Sequence, residues 1–316
     1  MNQNKNIKIT GALAVALSAV LWGVDGILLT PQLYNLNTAF VVFVIHLFPF
    51  LLMNLFFFKE YQHLKTMTRS DLLYFTLIAL FGGALGTLAI VKSLFLLHFN
   101  NLSVVVLLQK LQPVFAVILA RVILKEHIKR HFALWAIVAL VAGYFLTFGW
   151  SLPDFSTEGI TTVYAALLSL LAAFSFGSST VFSKKILGNY SFVSSTFFRY
   201  GFTTVIMLVI VLFTGHLGDF SQVTPRNWLF IALIGLTTGS GAIFLYYYGL
   251  RHVKASLSTF LELMYPITAV VLDYFVNHTV YSPVQWVAAA VMLFAIVMLN
   301  VEREHVNSPK KTSHNR

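Results

Sequence analysis

Long apolar runs recur along the whole chain, and they restrict its fold more than any other feature. Each run holds about 20 residues, the length that an α-helix needs to cross a hydrocarbon core of roughly 30 Å. The 316 residues are 58% hydrophobic and only 10% charged, with a mean hydropathy of +0.80, whereas a soluble domain carries roughly 25% charged residues. The sequence therefore predicts a multi-pass protein of a cell membrane.

Ten spans can be delimited, and each must be a helix because lipid offers no water to backbone N–H and C=O groups. The first apolar run is longer than a signal-peptide core, so we interpret it as an uncleaved span. The basic tail at 302–316 is predicted to be disordered. The predicted spans are 10–31, 38–58, 72–97, 103–124, 132–150, 161–183, 192–214, 227–249, 255–276 and 284–301.

The basic residues indicate how the helices are oriented. With the N-terminus in the cytoplasm, every Lys and Arg outside the spans except Arg226 falls in a cytoplasmic segment. This asymmetry is the usual topology signal of membrane proteins. Both termini are therefore predicted to be cytoplasmic, and the net charge of +10 indicates contact with the lipid bilayer rather than with nucleic acid.

The two halves of the chain are related by a repeat. A shift of 153 positions aligns residues 80–119 with 233–272 without a gap. Each half has five spans, and because five is odd the second half enters the membrane from the opposite side. Loop charges agree, since "KEHIKR" is basic and its counterpart "NHTVYS" is not. The predicted domains are 1–150 and 151–301, two inverted five-helix repeats, which are typical of secondary transporters with a site between the halves.

Two stretches, "AVLWGVDGILL" and "LLQKLQPVFAVILARVILKE", resemble the drug/metabolite transporter superfamily, EamA family. Pro113 and Glu126 match the family pattern, while Gln112 stands where an acid is common. In the second half Pro266 matches, and Tyr265 replaces the acid. The resemblance implies an all-α fold of ten transmembrane helices in a bacterial inner membrane, transport rather than enzyme activity, and no cofactor. It leaves the substrate open, since relatives carry amino acids, drugs, vitamins and nucleotide derivatives.

Ionisable side chains inside a span cost roughly 2.5–3.5 kcal/mol each, so they usually face a cavity or a partner. Counting residues along the spans places the first four candidates in the outer half of the bilayer and the last two in the inner half. The candidates for substrate binding are Asp25, His46, Lys92, Lys110, Arg199 and Glu262.

Several of these candidates have a structural alternative. Lys92 and Lys110 either meet an anionic substrate group or extend their long stems toward the interface. Asp25 needs a cation such as Lys110 or takes up a proton, which favours pairing or proton coupling. His46 is either a proton relay or a hydrogen-bonded structural residue.

Arg199 and Glu262 are predicted to lie at similar depth, which favours an ion pair. A buried pair of this kind is costly to break, so the pair suits either a structural gate or a substrate contact.

Small residues recur at equivalent places in both halves. Gly82 with Gly86, and Gly235 with Gly239, form G-x-x-x-G pairs that are predicted to let helices approach closely. The alternative is a cavity wall kept small so that a ligand fits.

Two prolines also occupy equivalent places. Pro113 and Pro266 are predicted to bend their helices around a central cavity, because proline removes a backbone hydrogen bond. Lys110 precedes Pro113 by three residues, and Gln109 precedes Gln112 by three, so each pair shares a helix face. We interpret this face, Gln109 included, as lining the cavity.

Three aromatic residues complete the predicted site. Trp22, Tyr246 and Tyr265 lie in spans that resemble the family's cavity-lining helices. They either stack on a planar ligand or fill helix contacts.

The sequence is best explained by a secondary transporter of a small polar, zwitterionic or anionic metabolite such as an amino acid. Family resemblance implies export, and alternating access is expected, with Asp25, His46 or Glu262 open as sites for a coupling proton. The alternatives are a transporter of drug-like or aromatic compounds, and a channel or receptor of the same fold. An enzyme is not predicted, because the chain shows no paired acids for a metal site and no cysteines.

Overall fold

The computed structural model describes residues 2–96, 108–109, 111–128, 130–152, 159–276, 278 and 280–301. The predictions for Lys110 and for the tail 302–316 concern residues outside this set. Throughout the described ranges the secondary structure is helical, without strands. The helical stretches are α1 (Asn6–Leu33), α2 (Thr38–Lys65), α3 (Arg69–Leu96), α4 (Gln112–Ile123), α5 (Arg130–Phe148), α6 (Gly159–Ile186), α7 (Phe192–Phe213), α8 (Pro225–His252), α9 (Ala255–Val276) and α10 (Pro283–Val301).

Among the described residues, seven helices are long and apolar enough to cross a membrane: α1, α2, α3, α6, α7, α8 and α9. The apolar helices α4, α5 and α10 contain shorter apolar stretches. The protein is therefore an all-helical, multi-pass membrane protein. The number of crossings and the location of the termini stay predictions.

Polar caps begin several of these helices. The Asn37 side chain accepts hydrogen bonds from the N–H groups of Ala39 (2.8 Å) and Phe40 (3.4 Å) at the start of α2. Thr68 and Asp71 cap each other's backbone at the start of α3, and Thr224 and Asn227 do the same for α8. Each cap satisfies N–H groups that a helix leaves free, a contribution of about 1 kcal/mol.

Three helices contain a π-helical segment. These segments are Asp25–Leu29 in α1, Ala79–Leu85 in α3 and Gly235–Gly239 in α8. A π-helical turn is rare and frequently occurs at a functional site. The segments of α3 and α8 contain or adjoin the two predicted glycine pairs, at equivalent places in the two halves.

Both predicted helix bends lie beside irregular backbone. Helix α9 is interrupted by a turn at Glu262 and Leu263, three residues before Pro266. The N–H of Tyr265 donates to the Glu262 carbonyl at 3.0 Å, so the chain tightens immediately before the proline. Helix α4 begins at Gln112, next to Pro113.

The helix contacts repeat between the two halves. Replacing each helix by its equivalent in the other half, α1 by α6, α2 by α7 and so on, gives the same main contacts. Helix α1 packs on α8 and α9, as α6 packs on α3 and α4; α2 packs on α7, and α5 packs on α10. The largest buried cluster contains residues of both halves, including Phe75, Leu146, Tyr247 and Phe260. The halves therefore share one core.

The predicted packing glycines occupy tight helix contacts. A Cβ atom on Gly82 would lie 2.9 Å from Nη1 of Arg199, and one on Gly86 would lie 2.8 Å from the Phe176 ring. At Gly235 the same atom would lie 2.8 Å from an aromatic ring of α2. Real Cβ atoms do not come this close to their neighbours, so these positions have no room for a side chain.

Candidate functional site

A cavity of about 270 Å³ lies between the two halves, lined by residues of α1 to α4 and α6 to α9. Its volume is close to the lower end of the roughly 300–1,000 Å³ found for small-molecule sites. Asp25 and His46, expected in the outer half of the bilayer, and Arg199 and Glu262, expected in the inner half, line this one cavity. The residues predicted from the sequence and found there are Trp22, Asp25, His46, Gln109, Arg199, Tyr246, Glu262 and Tyr265, with Gly82, Gly239, Pro113 and Pro266.

The structure does not bring Lys92 into this cavity. Ile90, Val91 and Leu94 form the cavity face of α3, and Lys92 is exposed on a different face of that helix. It lines a separate groove of about 310 Å³ together with residues such as His216. Reasoning from depth alone could not distinguish these faces, and Lys92 is therefore removed from the proposed site.

Arg199 is fixed on α7 by groups from three other helices. Its Nη2 donates to the Gly82 carbonyl at 2.9 Å, and its Nη1 donates to Tyr247 Oη at 3.2 Å and Ser179 Oγ at 3.4 Å. The guanidinium carbon lies 5.7 Å from the centre of the Tyr247 ring, within cation–π range. The Nε–H group has no hydrogen-bond partner among the described residues. The side chain is 8% exposed and provides the cavity with a positive charge.

Glu262 is held by neutral groups from both halves. Nε2 of Gln112 donates to Oε2 of Glu262 at 2.7 Å, and Tyr246 Oη lies 2.8 Å from Oε1. Thr180 Oγ1 lies 2.7 Å from the same Tyr246 oxygen. An amide at position 112 can donate to this carboxylate, which a second acid in its ionised form could not do.

The predicted ion pair between Arg199 and Glu262 is not formed within the described part of the chain. The hydrogen bonds of Arg199 go to a carbonyl and two hydroxyl groups, and those of Glu262 come from an amide and a hydroxyl. Each charged group therefore obtains its partners from dipoles rather than from the opposite charge.

Asp25 and His46 make their hydrogen bonds within their own helices. Thr30 Oγ1 donates to Oδ1 of Asp25 at 3.2 Å. Nδ1 of His46 lies 2.8 Å from the Val42 carbonyl, and because a carbonyl only accepts, this nitrogen carries the proton and Nε2 is left as an acceptor. The interpretation of His46 as a hydrogen-bonded histidine and its interpretation as a relay are both compatible with this geometry.

Aromatic rings cover one part of the cavity wall. The Trp22 and Tyr246 ring centres are 5.4 Å apart with the planes tilted by 56°. The Tyr265 hydroxyl lies against α1, 3.2 Å from where a Cβ on Gly26 would be. A wall of rings beside a few fixed hydrogen-bonding groups suits a planar ligand with a polar edge.

The sequence did not predict the hydroxyl groups that form hydrogen bonds with the charged residues or with their partners. These groups belong to two residues of α6 and to one tyrosine of α8. Ser179, Thr180 and Tyr247 hold Arg199 or the Glu262 network. The available signal was the run "SFGSST" at 175–180, where small hydroxyl residues crowd into an apolar span. Such residues commonly hydrogen-bond across helices in membranes.

Comparison with known proteins gives one family. The chain matches the sequence model of the EamA-like transporter family over residues 9–149 and 163–301. A solved crystal structure aligns with a TM-score of 0.64 at 16% identity, covering 98% of this chain and 100% of that chain. At an identity this low, the comparison shows only that the two chains share a fold.

Two curated relatives are also similar. The riboflavin transporter ImpX of Fusobacterium nucleatum subsp. nucleatum is 52% identical over 293 residues, which are 92% of this chain and 98% of that protein. The uncharacterized transporter YwfM of Bacillus subtilis is 29% identical over 191 residues, 60% of each chain.

Proposed function

This chain belongs to the EamA-like transporter family, and from that premise we propose that it carries riboflavin across the membrane. Its family and its named relative are transporters. The chain is therefore a membrane transporter and not an enzyme.

One observation carries the choice of substrate: aromatic rings and fixed charged groups line the same cavity. Riboflavin combines a flat three-ring system, whose faces are apolar, with a polar edge of carbonyl and imide groups and a chain of hydroxyls. Trp22, Tyr246 and Tyr265 suit the ring faces. Arg199 can donate to a carbonyl, and Glu262 can accept from an imide N–H or a hydroxyl.

The relative that is 52% identical is named a riboflavin transporter, which supports a flavin as the substrate. This name gives no support to the expected amino acid substrate or to export. The expectation of an anionic substrate rested mainly on two lysines. Lys92 lies outside the cavity, and Lys110 is outside the described residues. An aromatic compound, the alternative that the sequence left open, agrees better with the aromatic wall.

We further propose ten membrane crossings arranged as two inverted repeats, 1–150 and 151–301, with both termini in the cytoplasm. The family model matches once in each half. The helix pairing is preserved when the halves are exchanged, which is the pattern expected of two related bundles. Transport then proceeds by alternating access, in which the halves move around the cavity between them.

Flavin fluorescence offers a direct test of transport. The purified protein is inserted into liposomes, and uptake of riboflavin is measured with and without riboflavin already inside. We expect uptake that saturates and that is accelerated by internal riboflavin, with no competition from amino acids. Uptake that rises linearly without acceleration indicates a channel, and no flux above protein-free liposomes overturns the proposal.

A further inference from the structure

We propose that Glu262 is the proton site of this transporter and that it takes up one proton when a flavin fills the cavity. The inference rests on the proposed riboflavin substrate. Asp25, His46 and Glu262 all line the cavity, and their hydrogen bonds distinguish them.

Glu262 forms hydrogen bonds to both halves, and among the described residues Asp25 and His46 form theirs within their own helices. The His46 ring does pack on Tyr200 of α7, with ring centres 5.2 Å apart. The Glu262 carboxylate contacts Gln112 of α4 and Tyr246 of α8. Glu262 also lies in the turn that interrupts α9. Movement of one half against the other therefore changes the contacts of Glu262 directly.

The hydrogen-bond chain at Glu262 fits both protonation states. The Nε2 group of Gln112, which faces Glu262, can only donate, so Oε2 accepts in both states. When Glu262 is ionised, Tyr246 donates to Oε1 and Thr180 donates to Tyr246. When Oε1 carries a proton, it donates to Tyr246, which in turn donates to Thr180. All three contacts, at 2.7, 2.8 and 2.7 Å, are kept in both states.

The charge environment sets the direction of the proton movement. Glu262 is partly exposed and lines the cavity, and no Lys, Arg or His nitrogen of the described chain forms an ion pair with it. Among the described residues, Tyr246 is hydrogen-bonded to Glu262. The other charged or titratable groups that line the cavity are Asp25, His46, Arg199, Tyr200 and Tyr265. Arg199 is already engaged with the Gly82 carbonyl.

A flavin that fills the cavity displaces the water around the carboxylate. Removing water from a carboxylate without a contacting cation favours its neutral form. The proton comes from bulk water and ends on Oε1; no other covalent bond changes, and the hydrogen bonds to Tyr246 and Thr180 only reverse their direction. Flavin and proton therefore bind cooperatively and move in the same direction.

The test measures binding and protons in one sample. Purified wild-type protein in weakly buffered detergent solution is mixed with riboflavin near pH 7.5. Quenching of flavin fluorescence reports binding, and a pH-indicator dye reports protons. We expect about one proton taken up per flavin bound, declining as the starting pH is lowered, because Glu262 is then protonated before the flavin binds.

Three variants identify the site. Glu262→Gln should take up no proton per flavin bound, whatever its affinity. Glu60→Gln, the same substitution outside the cavity, should behave as the wild type, and Asp25→Asn should keep the proton uptake per flavin bound.

The outcomes separate the two proposals. If the wild type binds no riboflavin, the substrate proposal is wrong and this inference falls with it. Riboflavin binding with no proton uptake, or with proton release, overturns the inference alone. So does undiminished uptake in Glu262→Gln, or a loss confined to Asp25→Asn. If Glu262→Gln misfolds, Asp25→Asn and His46→Gln decide the site in the same assay. Proton uptake kept in both variants assigns the proton to Glu262, and uptake lost in either one overturns the inference.

Discussion

Arg199 illustrates how a helix bundle can hold a buried charge by hydrogen bonds to neutral groups, with no carboxylate among its hydrogen-bond partners in the described chain. Its donors go to the Gly82 carbonyl and to hydroxyl groups on two other helices, so several partial charges replace one carboxylate. The remaining Nε–H group has no partner in the described chain. A buried donor without a partner costs about 1–3 kcal/mol, and a substrate carbonyl that reached it would recover that cost.

The charged residues could be identified from the sequence because each is an exception within an apolar run. Their partners could not. Gly82 and Tyr247 lie 117 and 48 residues from Arg199 along the chain, and only the packed bundle brings them together. The same limit applies to Lys92: counting residues along the span gives a predicted depth, but it does not show which face of α3 points into the cavity.

Replacing Trp22 tests the aromatic wall. Trp22→Ala removes the ring that lies 5.4 Å from Tyr246, and we expect riboflavin binding to weaken about tenfold, or about 1.4 kcal/mol. Fluorescence titration of the purified protein measures this. Trp150→Ala is the matched control, since Trp150 is 78% exposed and lies outside the cavity lining. Equal affinities of the two variants would remove Trp22 from the site.

At the scale of helices, the π-helical segments were not predictable from hydrophobic periodicity. The sequence placed glycines at positions 82, 86, 235 and 239 and indicated close packing. An extra residue in a helical turn leaves no periodic signal in an already apolar run. The turn at Glu262 was signalled only indirectly, through Pro266.

The contact at Gly82 can be tested by adding one carbon. In Gly82→Ala the new Cβ would collide with Ser179 and lie 2.9 Å from Arg199 Nη1. We expect a loss of about 1–3 kcal/mol of stability, typical of an overpacked core, visible as a lower melting temperature in detergent. Gly218→Ala is the control, because no atom lies within 4 Å of its added Cβ. Equal melting temperatures would contradict the close contact of α3 with α6 and α7.

Glu126, between α4 and α5 of the first half, contacts the start of α9 in the second half. It accepts hydrogen bonds from the N–H of Ala255 at 2.9 Å and from the Ser256 hydroxyl at 2.5 Å, so it caps α9 from outside that helix. An acid at a helix N-terminus also interacts favourably with the helix dipole. The sequence marked Glu126 only as a family match, because its partners belong to the other half.

Removing this cap should destabilise the protein. We expect Glu126→Ala to cost about 1–2 kcal/mol, and Ser256→Ala to cost less because the backbone bond to Ala255 is kept. Thermal unfolding of the wild type and the two variants shows which substitution lowers the stability more. If Ser256→Ala is the more damaging change, the cap is not the main role of Glu126.

For the molecule as a whole, composition and run length were enough to predict an all-helical membrane protein. The described helices α5 (Arg130–Phe148) and α10 (Pro283–Val301) begin and end within two residues of the predicted spans 132–150 and 284–301. Fine detail was less accessible, since a run of apolar residues does not mark the turn at Glu262 that interrupts α9. The internal repeat was visible in the sequence, and the exchange symmetry of helix pairing is the structural pattern that it leads us to expect.

Inversion of the two halves makes a prediction about sidedness. The chain contains no cysteine, so a single introduced cysteine can be labelled without background. Thr66, between α2 and α3, and Ser221, between α7 and α8, are both exposed and lie in equivalent connections of the two halves. Inverted halves place these connections on opposite sides of the membrane, and parallel halves place them on the same side.

We expect a membrane-impermeant thiol reagent to label Ser221→Cys in intact cells and Thr66→Cys only after the cells are opened, because the basic residues assign Thr66 to the cytoplasm. The cysteine-free parent is the control for background labelling. Labelling of both variants in intact cells, or of neither, contradicts inversion. Labelling of Thr66→Cys alone keeps the inversion but reverses the orientation, since both termini then lie outside.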